Sequence, residues 1–347
     1  MAVQVKQAHS NTTRLLGRRS LLLPGLAVAA GLLVLCLVWS ITLGAADIKP
    51  ETVFNALLHY DSTQFEHLII RTVRLPRVLS GVVVGAGLAA AGAIMQGLTR
   101  NPLADSGILG INAGAAFAVV MSVYLIGDPP MSIYALAALI GAAAAALIVY
   151  GLGSLGRGGA TPLRLTLAGV ILTSFVSSLT TAILIQDQET LDKIRFWTAG
   201  SLAGRDMELL RQMTPIVLAG LVGSVLISRQ ITTISLGEDV AKGLGQNTLL
   251  VKAVAAVMVV LLAGGSVALA GPIGFVGLIV PHVARFVVGV DYRWIIPSSM
   301  ILGGILITVA DVAARLVLRP QELPVGIMMA VLGAPFFIFL ARWKVRR

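Results

Sequence analysis

RLPRVLSGVVVGAGLAAAGAIMQGLTRNPLAD, residues Arg74–Asp105, is the stretch that decides the fold. It is apolar from about residue 76 to 98, with arginines at its head and Arg100 at its foot. Crossing the hydrocarbon core of a bilayer takes roughly 20 such residues. Nine more runs of this kind fall at about 20–44, 106–126, 132–154, 163–186, 210–229, 250–270, 273–290, 295–318 and 324–341. The reading is an all-α integral membrane protein of ten transmembrane helices, because a backbone in lipid must find its hydrogen-bond partners internally. A membrane barrel would instead show alternating segments of about ten residues, and none is present.

Composition agrees. The 347 residues are 57% hydrophobic and 12% charged, against roughly 25% charged in a soluble domain. Mean hydropathy is +0.91. Ten spans with short loops leave no length for a large soluble domain. The net charge of +10 would suit nucleic acid, but the basic residues sit between the apolar runs, where topology calls for them. The one cysteine, Cys36, lies in an apolar run and reads as packing. Arg14, Arg18 and Arg19 ahead of an apolar run resemble a signal peptide. The run to Gly44 is long enough to span and no clear cleavage signal follows, so it reads as a retained first helix.

With the N-terminus in the cytoplasm, sixteen of 26 Lys and Arg fall inside: Lys6, Arg14, Arg18, Arg19, Arg100, Arg157, Arg164, Arg229, Lys242, Lys252, Arg285, Arg293, Arg342, Lys344, Arg346 and Arg347. Only Asp105, Glu238, Asp239 and Asp291 accompany them. That bias fits the positive-inside rule and returns the C-terminus to the cytoplasm. Residues 1–19 read as a cytoplasmic tail and 20–347 as one transmembrane domain, with halves about 20–205 and 206–341. The longer outer segments, 45–75 and 186–207, each suit an amphipathic interfacial helix. Gly85, Ala89, Ala91, Gly92, Ile94 and Pro102 recur 179 residues on as Gly264, Ala268, Ala270, Gly271, Ile273 and Pro281. Five helices apart, the copies run in opposite directions. Two readings stand: an inverted repeat of the transporter kind, or chance matching of small residues.

The chemistry narrows next. A P-loop needs Gly directly before its Lys. The lysines follow Val5, Ile48, Asp192, Ala241, Val251 and Trp343, so ATP chemistry of that kind is excluded here. Ion-coupled carriers need ionisable groups inside the membrane. Asp311 is the one candidate well inside a span, and it reads as an ion pair with Arg315 four residues on. Ser235–Asn247, SLGEDVAKGLGQN, is polar, glycine-bracketed and compatible with a short helix whose acids lie at its start. It suits either a plug for a soluble partner or an ordinary loop. Thr166, Thr173, Ser177 and Thr180 share one face of the fifth span, with Ser174, Ser178 and Thr181 beside them. They suit a hydrophilic path, or hydroxyls bonded back to their own helix. His282 lies far in sequence from His9, His59 and His67, and no metal site is expected.

Taken in order, Arg74–Arg77 (RLPR), Gly92–Gln96 (GAIMQ), Asn101–Asp105 (NPLAD), Gly107–Gly110 (GILG), Leu167–Val170 (LAGV), Gly274–Arg285 (GFVGLIVPHVAR), Ala310–Arg315 (ADVAAR), Glu322–Gly326 (ELPVG) and Leu332–Pro335 (LGAP) resemble the FecCD/BtuC family. These are permeases of binding-protein-dependent ABC importers for iron–siderophores, haem and cobalamin. The resemblance covers about residues 70–341 and implies the type II importer fold, a bacterial inner (plasma) membrane location and no enzymatic activity on this chain. It implies a second permease subunit in a homo- or heterodimer, two ATP-binding cassette subunits that carry ATP and Mg, and an extracytoplasmic substrate-binding protein. It makes Leu236, Gly237, Glu238, Asp239, Ala241, Gly243, Leu244 and Gly245 the ATPase-coupling loop. It makes Arg74, Arg77 and Arg315 receptors for the binding protein's acids, which arginine's rigid fork suits; read alone, Arg74 and Arg77 would be interfacial anchors. The fifth span would line the path, and Thr161, Pro162 and Leu163 would fall at a cytoplasmic gate. The favoured cargo is a ferric siderophore; the alternatives are haem or cobalamin, or an ion-coupled secondary transporter. The iron would travel already chelated, so this chain needs no cofactor and no metal ligand.

Overall fold

The computed structural model describes residues 21–44, 48–155 and 161–345. The tail 1–19 lies outside them, with Lys6, Arg14, Arg18 and Arg19, as do Arg157, Arg346 and Arg347. In chain order the helices are α1 Leu22–Thr42, α2 Pro50–Leu58, α3 Phe65–Thr99, α4 Ile111–Ile126, α5 Met131–Ser154, α6 Pro162–Gln186 and α7 Gln188–Thr198. Then come α8 Met207–Leu226, α9 Ser228–Ser235, α10 Glu238–Gly243, α11 Thr248–Ala270, α12 Val276–Val288, α13 Tyr292–Leu316 and α14 Val325–Val345. No strand occurs among the described residues. Seven helices are long and apolar enough to span (α1, α3, α5, α6, α8, α11, α13), and α4, α12 and α14 carry shorter apolar runs. All ten predicted stretches therefore return as helices.

Helix α3 is the axis of the bundle; 83% of its most apolar window is buried. It packs on α13 on one side and on α8, α11 and α12 elsewhere, while α4, α5 and α6 form an adjoining layer. Small residues set these approaches. A Cβ on Gly85 would overlap the Gly303 backbone of α13, and one on Gly92 would overlap that of Gly277 in α12. In lipid there is little hydrophobic drive between helices, so close backbone contact carries much of the cohesion. The repeat residues Gly85, Ala89, Ala91, Gly92 and Ile94, and their later copies Gly264, Ala268, Ala270, Gly271 and Ile273, are all buried in this packed core.

Three elements differ from the sequence expectation. Arg74–Arg77 was expected to open the second helix, yet α3 begins at Phe65 and passes through a π turn at Ile70–Arg74. The Leu75 amide bonds Ile70 O across that wide turn, which carries the helix over Pro76, a residue with no N–H to give. The third span opens with a 3-10 turn, Ser106–Leu109, and its helix starts only after Gly110 at φ +68°.

The third difference is the eighth span. Instead of running from 273 to 290 it is a helix of 13 residues, about 20 Å at 1.5 Å per residue and short of a 30 Å core. Gly271 and Phe275 at φ +75° and +69° stop the chain from helical winding before Val276. Inside α12, Pro281 lacks the N–H that the Gly277 carbonyl would accept. Gln96 supplies it: its Nε2 donates to Gly277 O at 3.0 Å and to Leu278 O at 3.3 Å. Arg285 in turn donates to Gln96 Oε1. Irregular backbone at membrane depth is tolerated where protein satisfies it in this way.

Candidate functional site

Two polar assemblies lie at opposite ends of the bundle. At one end α9 leads into α10 through Gly237, whose φ of +135° only glycine adopts easily. Gly245, at φ +79°, turns the chain out of α10 toward α11. Glu238 faces inward: its carboxylate takes a 2.6 Å bond from Lys252 of α11, lies 3.3 Å from Lys242 and accepts from Thr248 at 3.3 Å. These bonds, the Lys252 one foremost, hold the Glu238 carboxyl below its ordinary value of 4.5. Ala241 is fully buried beneath. With Glu238 and Ala241 anchoring the inner side, Leu236, Val240 and Leu244, before, within and after α10, stand 68%, 48% and 71% exposed. Asp239, Gly243 and Gly245 are exposed as well. The same end holds Arg100, whose guanidinium lies about 4 Å from where a Cβ of Gly237 would sit, and Asp291, which accepts from Thr232 at 3.2 Å.

At the other end the three arginines assigned to the binding protein's acids are buried and engaged within the chain. Arg77 lays its fork on Asp311, with Nε and Nη2 at 3.1 and 3.0 Å, and its Nη1 reaches Glu322 at 2.6 Å. Arg315 pairs with Asp311 at 3.1 Å and donates to Ser40 O, Leu43 O and Ser40 Oγ. Arg74 donates to Ile41 O and Thr42 O at 2.6 and 2.9 Å. The physical reason is the end of α1: the last carbonyls of a helix have no partner of their own, and two cations answer both the carbonyls and the negative end of the dipole. The predicted Asp311–Arg315 pair is present, enlarged by Arg77 from another helix.

On α6 the face carrying Thr166, Thr173 and Thr180 is half-buried against its own bundle, and Ser177 alone of the four predicted path residues is exposed. The other open hydroxyls are those first placed beside them, Ser174, Ser178 and Thr181. Back-bonding is realised in Thr180 to Val176 O, Ser178 to Ser174 O and Thr181 to Ser177 O, each at 2.9 Å. Thr161 caps α6 by accepting from the Arg164 amide at 3.4 Å, with Pro162 at the first helical position; Leu163 is exposed. His282 packs edge-on against Phe286, ring centres 5.0 Å apart, and against Phe336.

The sequence profile of the FecCD transport family matches residues 32–343. The chain belongs to the FecCD transport family. A probable siderophore transport system permease protein of Bacillus subtilis (strain 168), YfiZ, is 48% identical over 303 residues, covering 87% of this chain and 91% of that one. The ferric enterobactin transport system permease protein FepD of Escherichia coli (strain K12) is 39% identical over 329 residues, covering 94% and 97%. Among solved structures, an inward-facing metal-chelate type ABC transporter superposes with a TM-score of 0.80 at 29% identity, covering 94% of this chain and 99% of that one. The FecCD chain is thus a multi-pass membrane protein of transport type.

Within this FecCD fold several motif residues turn out to be joints. Gly92–Gln96 and Gly274–Arg285 meet at the broken start of α12, and Glu322 closes on Arg77 across 245 positions of sequence. Lys252 was read only as a topological charge, although it anchors Glu238. One signal in the sequence could have found Gln96: a proline inside a span, Pro281, announces a carbonyl in need of a donor.

Proposed function

We propose that this chain is the membrane-spanning permease subunit of a binding-protein-dependent ABC importer that carries ferric siderophores across the bacterial plasma membrane. Both termini lie in the cytoplasm, and the α9–α10 end faces an ATP-binding cassette subunit. The chain assembles as a dimer of permeases with two such subunits, which hold ATP and Mg, and with a substrate-binding protein outside. The observation that carries this reading is the coupling segment. Leu236, Val240 and Leu244 are exposed along a segment that Glu238 ties directly to α11, so a push on this segment reaches a spanning helix that packs against α3.

Docking outside centres on the arginine assembly. Glu322, whose side chain is about one-third exposed, is the acceptor that an incoming carboxylate displaces from Arg77. The path runs along α6 between two copies, lined by Ser177 with Ser174, Ser178 and Thr181, and narrows at Thr161, Pro162 and Leu163. The ferric siderophore follows from the names of the relatives YfiZ and FepD; haem and cobalamin are the competing cargoes. The deciding experiment is uptake of radiolabelled ferric siderophores, haem and cobalamin by a strain deleted for this gene and complemented with it. Restored siderophore uptake supports the reading, and restored cobalamin or haem uptake alone overturns the choice of cargo.

A further inference from the structure

Beneath α7, at the end of the bundle that holds the arginine assembly, lies a cavity of about 480 Å³, within the range of roughly 300–1,000 Å³ typical of small-ligand pockets. Its walls come from Met131 and Tyr134 of α5, Phe196 and Trp197 of α7, Arg205 in the loop before α8, and Glu322. Arg205 is 5% exposed. Its Nε donates to Ser201 O at 3.2 Å and its Nη1 rests 3.1 Å from the Met131 sulfur. No carboxylate pairs with it among the described residues, and its Nη2 has no acceptor there. Burial lowers the guanidinium to about 10, which Asp206 opposes only in part. On the same wall stands the ring of Trp197, whose own indole Nε1 is sealed from the cavity.

Buried polar groups in a settled fold are almost always paired. A buried guanidinium that lines a cavity with no carboxylate paired to it is therefore the signature of an anion site. The neighbouring charges do not fill that role. Lys193 is taken by Glu189 at 2.6 Å and by the Gly127 carbonyl, and Glu322 by Arg77. Asp128 lies toward Lys193 and Tyr134 rather than Arg205. The aromatic walls add a flat apolar surface to the guanidinium. A carboxylate matches it, because its two oxygens accept in one plane and arginine binds it with charge-assisted bonds. Carried on a planar group, it would also cover Trp197 and Phe196.

We propose that this cavity is a carboxylate-binding site, with Arg205 as its donor and the Trp197 and Phe196 rings as its walls, for one anionic arm of an iron chelate on its way to the path. The carboxylate chemistry stands on the cavity alone; that the carboxylate belongs to a chelate rests on the transport reading.

The test is calorimetric titration of the purified full-length chain in lipid nanodiscs with benzoate. Saturable binding in the millimolar range or tighter is expected. Arg205→Gln weakens it by at least about tenfold, the effect of losing one hydrogen bond to a charged group. Ala203→Trp, which fills the cavity from an exposed position on its rim, abolishes it while leaving Arg205 in place. Absence of saturable binding by the unaltered chain, or unchanged affinity in both variants, overturns the site. ATP-driven uptake of ferric citrate and of ferric siderophores by the assembled transporter is measured alongside. Uptake unchanged by Ala203→Trp overturns the chelate assignment. Benzoate binding with no uptake of any iron chelate overturns the transport reading and leaves the carboxylate site standing.

Discussion

At Gly92 two helix backbones touch, and the Gly277 carbonyl occupies the space a methyl group would need. Gly92→Ala is expected to cost about 3 kcal/mol or more through overpacking, read as a lower unfolding midpoint and a lower yield of monodisperse protein; an unchanged midpoint would contradict the contact. One turn later Gln96 serves the carbonyl that Pro281 leaves orphaned. Gln96→Leu strands that acceptor at a cost of about 1–3 kcal/mol, whereas the paired change with Pro281→Ala restores the helical donor and recovers most of the loss. At the other end the buried Arg77–Asp311 fork follows a different rule. Removing Asp311 takes the carboxylate from two buried cations, Arg77 and Arg315, at a cost of about 3–5 kcal/mol, whereas removing Arg77 leaves Asp311 paired with Arg315. Asp311→Asn is therefore more damaging than Arg77→Met, and chemical denaturation of the two variants decides it.

The coupling segment is where element geometry meets function. Glu238 titrates below its ordinary 4.5 because Lys252 and Lys242 favour the carboxylate. Its contribution to anchoring α10 is thus fully present above pH 4.5 and is lost as pH falls through the depressed value. Hydrogen exchange at residues 238–245 checks this: protection that is flat from neutral pH down to about the unfolded pKa and falls only below it is expected, and loss near neutrality would exclude the ion pair as the anchor. Leu236→Asp with Leu244→Asp leaves that anchor intact while removing two exposed apolar side chains that flank α10. It is expected to abolish co-purification of the ATPase subunit without changing the unfolding midpoint.

The elements also show what the sequence could carry. Apolar length gave all ten helices, and the glycine-bracketed loop 235–247 emerged where its composition put it. What escaped was set by long-range partners. The eighth span looked continuous because hydropathy does not register the positive φ of Phe275 or the donor that arrives from Gln96. Arg74, Arg77 and Arg315 were placed at one end, but apart from the Asp311–Arg315 pair their acceptors were hidden, because the carbonyls at the end of α1 and, for Arg77, the Asp311 and Glu322 carboxylates lie up to 275 positions away. The hydroxyl face of α6 was correctly placed on one side, but helical spacing alone does not say which half of that side is open.

Across the whole molecule, two long helices stay unburied. Only 6% of the apolar window of α1 and 11% of that of α6 is covered. Lipid accounts for α1, which is apolar all round. Helix α6 mixes exposed Val170, Ile171 and Phe175 with exposed serines, as suits a face shared with a second copy around a polar path. Phe175→Cys, in a chain whose Cys36 has been replaced, is expected to form a disulfide dimer in native membranes under oxidation, whereas Leu35→Cys on the lipid side is not. The central claim is that this bundle is a conduit driven from a separate subunit. It is tested most directly in proteoliposomes containing the chain, its ATPase subunit and the binding protein, loaded outside with a radiolabelled ferric siderophore. Accumulation that requires ATP and all three components, and that Leu236→Asp with Leu244→Asp abolishes, is the predicted result. Accumulation by the chain alone on an ion gradient would contradict it.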